Sequence, residues 1–556
     1  MRTVLVLAVF AAVFMILTVS SYRQESATID EPHYLTAGYV NLKLGDHRFD
    51  LDHLPFLQMW TALPLMAMPD VHLNTNDAVW SSAQLMPFIQ RFLYRDNDAD
   101  RLLDRARFMT VLLGLLLGAL LFAWANELWG GWPATFILGL YCFEPNILAH
   151  SHLATTDLGI ACFIFGTVYF LWRTTQKFSG LNLAGVLTFF ALAQLSKYSA
   201  LVLIPILVVL LALYTFRSHR WRAALGLAAA LVVFCYVAIW AAYGFRYAPG
   251  PVGSGLDRIV SGAKVHEDIP VTSAVADWLD ERKFLPNAYT QGFVLRQALG
   301  RHLASYWRGH IQFSGRWYYF PAAFLIKTPV ALLVLFGAGL MVCAVNRSKF
   351  GREDAYILLP LAIYFGTAMT MDVNVGLRHV LPIYPFVLLI AGRPLATAVN
   401  SRKRVLIIIA TVLLAVHACE STTVHPHYLA FFNQLVGGPK NGHKYLADSN
   451  IDWGQDLKNL KKWMDTSGVA KINLAYFGSA DPAYYGVKCV YLVGCQRFAP
   501  TGTEPPELPG LVAVSVQNLT GASRKGDRFY WPLLNAQPIA VIGYSIRIYR
   551  VDRPWW

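Results

Sequence analysis

Charge is scarce in this chain. Asp, Glu, Lys and Arg make up 15% of its 556 residues, against about 25% in an ordinary soluble domain, while 55% are hydrophobic. That balance excludes a soluble globular protein. The sequence shows no internal repeat and no low-complexity tract, which argues against a transporter assembled from inverted repeats. No stretch sets His, Cys, Asp and Glu at a strong metal-ligand spacing. Behind the first apolar run, Ser20-Ser21-Tyr22-Arg23 lacks the small-residue pattern of a signal-peptide cleavage site, so residues 3–20 read as a retained span.

What the chain does have is membrane-spanning sequence. Further apolar runs centre near Leu117, Leu140, Phe165, Phe189, Val208, Val232, Leu335, Ile363, Leu388 and Ile409. With roughly 20 residues needed per span, about eleven transmembrane helices are expected, those near Leu140 and Phe189 being interrupted by Pro and Gly. The net charge of +13 comes from 47 Lys and Arg against 34 Asp and Glu. Its cations (Arg173 and Lys177; Arg217, Arg220 and Arg222; Arg347, Lys349 and Arg352; Arg402, Lys403 and Arg404) fall in short gaps between apolar runs. That is the positive-inside pattern and not a nucleic-acid surface. With the N-terminus in the cytoplasm, an odd number of spans leaves all four clusters inside and the C-terminal tail outside.

Three polar parts remain. Residues 22–107 and 244–317 form external loops around a membrane domain expected over 1–419. Within the first, the short, Pro-interrupted apolar stretch 54–68 reads as lying in the interface. Residues 420–556 form a tail in which 471–477, 489–493, 511–517 and 539–551 read as strands, and 452–464 as an amphipathic helix. A small external α/β domain is expected there. Cys489 and Cys495 lie close together in that tail; outside the cytoplasm they would pair, inside they would stay thiols.

The chemistry-bearing candidates gather at the expected outer face. Asp30 and Glu31, in TIDEPHY, follow the first span, and Asp157, in HLATTDLGI, opens another. Helix capping accounts for each acid alone; two acids at one membrane surface also suit general-base chemistry. Lys197, in LSKYSALVLIP, and Arg378 and His379, in NVGLRHVLPIYPF, sit at apolar edges on the side poor in cations, which suits a phosphate ligand better than snorkelling. Lys327, in LIKTPVALL, is a weaker case of the same kind. Asp50, Asp52 and His53, in FDLDHLPFLQMW, could hold a divalent metal with His33 completing the set, although a solvated turn is the plainer reading. Arg308 and Arg316 lie among Tyr306, Trp307, Trp317 and Tyr318, an aromatic belt or a surface for sugar rings.

Together these segments resemble the GT-C superfamily of lipid-carrier-dependent glycosyltransferases, and within it glycosyltransferase family 39, with the protein O-mannosyltransferases and the bacterial aminoarabinose transferase. DEPHYLTAGYVNLKLGD looks like the family's first-loop acidic motif, LDHLPFLQMW like its Asp/Glu-His/Lys-Pro-Pro segment, and HLATTDL like its second acidic position. LSKYSALVLIP resembles the Leu-x-Lys-Gly stretch and NVGLRHVLPIYPF the Arg-His/Tyr-x-Leu-Pro-x-Tyr-Pro segment. GRWYYFPAAFLIKTP, HYLAFFNQLVGGPKNGHKYLADSNIDWGQDL and DPAYYG look like segments of one bacterial subgroup. Leu54 stands where the family usually has a proline, and Tyr198 where it has a glycine.

The resemblance implies a GT-C fold in the inner (plasma) membrane and an inverting transfer outside the cytoplasm. A hexose, mannose first, would pass from a polyprenyl-phosphate donor to a protein hydroxyl, a glycan or a glycolipid. Asp30 would be the general base, with Glu31 and Asp157 shaping the site. Lys197, Arg378 and His379 would hold the carrier phosphate, and Tyr34, His53, Arg308 and Trp317 would line the acceptor or sugar pocket. A metal, if used, would sit at His53 and Asp52. The alternative reading is a transporter or flippase of a lipid-linked sugar.

Overall fold

A computed structural model describes residues 2–81, 83–250, 269–301, 303–345, 351–495, 505–522 and 528–555. Arg347 and Lys349 of the basic clusters, and residues 251–268 of the second loop, lie outside the described residues. All eleven expected span centres fall within helices. Seven of those helices, among the described residues, are long and apolar enough to cross a membrane: Thr3–Tyr22, Ala99–Trp129, Asp157–Gln176, Tyr198–Ser218, Trp221–Ala242, Leu377–Asn400 and Arg404–Thr422. An eighth candidate is the pair Tyr319–Lys327 and Val330–Val345, bent by 117°. The chain is therefore a multi-pass helical membrane protein, with fewer full-length crossings than the expected eleven.

The shortfall has local causes. Gly131–Cys142 has 12 residues and Gly180–Gln194 has 15. At 1.5 Å per residue, even the longer reaches only about 22 Å of a roughly 30 Å hydrocarbon core. Arg352–Met369 carries Arg352, Glu353 and Asp354 in its first turn, which shortens its apolar run. Burial then sorts the spans. In Asp157–Gln176 and Leu377–Asn400, 83% of the apolar stretch is buried, against 17–28% in Thr3–Tyr22, Tyr198–Ser218, Trp221–Ala242 and Arg404–Thr422. The first two form the centre of the bundle and the other four face outward, as helices apolar all round must do in a bilayer.

The tail carries a five-stranded mixed sheet. We number strands along the whole chain: β1 (Ser305–Trp307) and β2 (His310–Gln312) form an antiparallel hairpin in the second loop. The sheet comprises β3 (Ile472–Ala475), β4 (Cys489–Tyr491), β5 (Gly510–Ser515), β6 (Ala540–Ile542) and β7 (Ile546–Val551), in the order β4-β3-β5-β7-β6. β3 runs parallel to β4 and β5, while β7 runs antiparallel to β5 and β6. The single strand expected over 539–551 is thus a hairpin, turning at Tyr544 with a φ of 67°. The expected helix over 452–464 begins later, as Leu457–Thr466, because the residues before it pack into the membrane domain. Tyr428, Leu429, Phe431, Phe432, Leu446, Ile451 and Trp453 all join the main core of the helical bundle. Cys495 is buried outside any disulfide, its thiol donating to the Leu474 carbonyl at 3.1 Å.

One buried ion pair fixes the first loop. Arg107, 1% exposed on Ala99–Trp129, donates Nε to Glu31 Oε1 at 2.8 Å and Nη2 to Glu31 Oε2 at 2.7 Å. Its remaining donors reach the carbonyls of Tyr22, Glu25 and Ser26 at 2.9–3.1 Å. Glu31 also accepts from the backbone N–H groups of Thr28 and Ala154, each at 2.8 Å. Burial alone would raise the Glu31 carboxyl, but Arg107 and these hydrogen bonds hold it below its ordinary value. Beyond the clamp, helix Glu31–Leu44 lies against helix Pro55–Ala62 so closely that a Cβ on Gly38 would meet the Gln58 carbonyl oxygen at 2.1 Å.

Glu31→Gln leaves a buried guanidinium without its counter-charge, and about 3–5 kcal/mol of stability is expected to go, read as a lowered melting temperature in detergent. Because the folded-state carboxyl is depressed, the wild-type advantage is present above the unfolded value of about 4.3 and fades as pH falls through the depressed folded value. Gly38→Ala should cost about 1–3 kcal/mol by forcing two helix backbones apart, measurable in the same assay.

Candidate active site

Asp30 stands at the N-cap of helix Glu31–Leu44, yet its side chain makes no capping hydrogen bond. Its carboxylate faces Arg378 Nη1 at 3.2 Å instead, and the side chain remains 26% exposed. The same Nη1 lies 3.5 Å from Asp157 Oδ2, and Asp157 Oδ1 accepts from Lys197 Nζ at 2.6 Å. Four residues from four separate segments therefore converge into one cluster of two acids and two cations. Asp157 is fully buried, so of the two acids only Asp30 is open to an incoming molecule.

Arg378 is held on three sides. Nε donates to Ser449 Oγ at 3.0 Å, Nη1 faces the two acids, and the Trp453 ring lies 4.3 Å from the guanidinium carbon. Nη2 makes no hydrogen bond among the described residues. His379 follows it in the chain, half-buried, and its Nε2 atom is buried without a hydrogen-bond partner among the described residues.

The acids of the first loop divide. Asp30 reaches the cluster, whereas both Glu31 oxygens are taken up by Arg107, Thr28 and Ala154. Tyr34 is buried one turn on, with its ring edge-on to His53 at 4.8 Å. His53 Nδ1 sits 2.9 Å from Asp50 and 3.4 Å from Asp52, and Arg296 lies 3.6 Å from Asp52. Desolvation works against the imidazolium, but Asp52 and Asp50 outweigh it and push His53 up to about 10. The ligand atoms of Asp50, Asp52 and His53 lie within 4.8 Å of one another and could present three donors to a divalent cation once the ring is neutral. His33, the expected fourth member, is engaged at Nδ1 by the Ile29 carbonyl at 2.8 Å.

Arg308 and Trp317 are not drawn into the cluster. Arg308 is exposed on the β1–β2 turn over the Tyr445 ring, and Trp317 is 66% exposed with Tyr318 edge-on to it. Lys327, a phosphate candidate in the sequence, corrects to an anchor: its ammonium donates to the backbone carbonyls of Leu429 and Asn450. Ser449, Asn450, Trp453, Arg296 and Arg107 were not expected at the site or beneath it. Arg107 carried a usable signal, being a cation at the edge of an apolar run like Lys197. Ser449 and Trp453 carried none beyond membership of ADSNIDWGQDL.

Helices Asp157–Gln176 and Leu377–Asn400 both start at the cluster and run to basic clusters, Arg173 with Lys177 and Arg402 with Lys403 and Arg404. At 20 residues the first spans about 30 Å, so acids and basic clusters mark opposite ends of the bundle.

No curated protein sequence matches the chain. Among solved structures, ArnT from Cupriavidus metallidurans bound to undecaprenyl phosphate aligns with 13% identity over 98% of this chain and 97% of that one, at a TM-score of 0.46. The archaeal oligosaccharyltransferase AglB from Archaeoglobus fulgidus, in complex with an inhibitory peptide and a dolichol-phosphate, aligns with 11% identity over 99% and 75%, at 0.49. Residues 99–240, which include Arg107, Asp157 and Lys197, match the family model for dolichyl-phosphate-mannose-protein mannosyltransferase.

Proposed function

We propose that the protein is an inverting glycosyltransferase that moves a hexose from a polyprenyl-phosphate carrier to a hydroxyl outside the cytoplasm. The supporting observation is the convergence of Asp30 and Asp157, from distant segments, on one guanidinium that keeps a nitrogen for a further ligand. Mannose is the donor sugar to try first, as the name of the matching family model suggests. The acceptor is a protein hydroxyl, an envelope glycan or a glycolipid.

In this reading the donor phosphate takes Nη2 of Arg378, Lys197 and Nε2 of His379. The acceptor hydroxyl approaches the anomeric carbon on the face opposite the phosphate. Asp30, the accessible acid, removes its proton as the new C–O bond forms and the C–O bond to phosphate breaks. The electron pair leaves with the polyprenyl phosphate, where the two cations stabilise it. Asp157 orients both cations, and Glu31 holds Asp30 in place through Arg107. The opposed acidic and basic ends support a cytoplasmic N-terminus and a reaction at the outer face of the plasma membrane.

Asp30→Asn should lower transfer about 10²–10⁴-fold while leaving polyprenyl-phosphate affinity nearly unchanged. The check is purified protein with several polyprenyl-phosphate hexoses, the product identified by mass and its anomeric configuration by NMR. Full transfer by the variant, or retention of configuration by the wild type, would sink the proposal.

A further inference from the structure

Among the contacts between the tail and the bundle is the turn Asp448–Asn450, followed by Trp453. Asn450 fixes the turn against the segment before Arg378: its Oδ1 accepts from Leu377 N–H at 3.0 Å and its Nδ2 donates to Tyr319 Oη at 3.1 Å. Ser449 Oγ donates to the Val375 carbonyl at 3.1 Å while accepting from Arg378 Nε at 3.0 Å. The contact is tight enough that a Cβ on Gly376 would lie 2.1 Å from Ser449 Oγ. From the other side Gln517, just after β5, accepts from Asp448 N–H at 2.7 Å and donates to Asp448 Oδ2 at 3.1 Å. Its own N–H donates to Asp452 Oδ2 at 2.8 Å.

A guanidinium between two carboxylates has a ready alternative, which is to collapse onto them in a bidentate pair. Here Nε is drawn away to a serine hydroxyl, and the flat face is laid on an indole, an arrangement favourable for Arg. The rotation this imposes leaves Nη2 without a hydrogen bond among the described residues. Both groups that impose it belong to the tail, and neither touches the acids.

We infer that Ser449 and Trp453 are positioning residues for Arg378, so that the tail completes the donor-phosphate site instead of serving as a separate appendage; this rests on the function proposed above. The hydroxyl sets the guanidinium's rotation and the indole sets its plane. Together they keep one nitrogen open for a phosphate oxygen. Without them Arg378 turns fully onto Asp30 and Asp157, weakening the carrier's hold and blocking the base.

The test measures two quantities on full-length protein in detergent: affinity for undecaprenyl phosphate alone, and KM and kcat with the polyprenyl-phosphate hexose that the wild type uses. Ser449→Ala should weaken carrier affinity about tenfold and raise the donor KM to match, with Ser449→Thr restoring both. Trp453→Leu should do the same, and Trp453→Phe should recover most of it. Lys461→Ala, on an exposed tail pair, is the neutral control. A purely structural role predicts a lower melting temperature and a smaller active fraction at unchanged affinity and KM, and that outcome overturns the inference. If undecaprenyl phosphate binds the wild type but Ser449→Ala binds it equally well, the inference fails and the proposed function stands. If the wild type neither binds the carrier nor transfers from any donor, both fail.

Discussion

The buried pair between Arg107 and Glu31 is the constraint on which the site depends. A guanidinium near the end of a long membrane helix cannot be left unpaired in a medium of low dielectric constant, because the desolvation cost exceeds most single interactions in a fold. Glu31 is its counter-charge, and the chain between Tyr22 and Glu31 must therefore fold back over that helix, giving up three carbonyls to the same guanidinium. Asp30 is the neighbouring residue, and its position is set by that return. Its side chain, free of a capping role, is then aimed at Arg378 by the start of its own helix.

The cations at the edges of the apolar runs divide by what surrounds them. Arg107 and Lys327 lie among carboxylate and carbonyl oxygens of their own chain and hold segments together. Lys197 and Arg378 both meet Asp157, and Arg378 also meets the partly exposed Asp30. The sequence presents all four alike, as cations at the edges of apolar runs. What distinguishes them is the count of acceptors each meets, a property of the assembled bundle.

Much of the fold was legible in the chain because hydropathy is a local signal. Each expected span centre lies on a helix, since a run of apolar residues in lipid has few other ways to satisfy its backbone. Span length was harder to read: the helix around Leu140 is cut short by its flanking sequence, and Arg352, Glu353 and Asp354 sit inside a helix that looked apolar at its centre. The strands of the tail were readable from Val, Ile and Tyr, but the hairpin at 543–545 carries a single glycine, Gly543, as its only turn signal inside a run of strand-forming residues. Asp30, Asp157, Lys197 and Arg378 could be named from type and place. Ser449 and Trp453 could not, because polar and aromatic residues ahead of an amphipathic helix look like an ordinary helix start. Arg308 and Trp317 misled for the converse reason: an aromatic cluster in a polar loop signals an interface as readily as a sugar platform.

Charge balance links the two halves of the proposed reaction. With two acids and two cations the empty cluster is neutral, and a phosphate adds negative charge. In the proposed reaction a phosphate on Nη2 competes with the carboxylates for the charge of Arg378, and of these Asp157 keeps Lys197 while Asp30 has no second cation in contact among the described residues. Asp30 is therefore the acid that loses its counter-charge when a donor arrives. In the proposed reaction, occupancy by the donor therefore loosens the ion pair that holds Asp30.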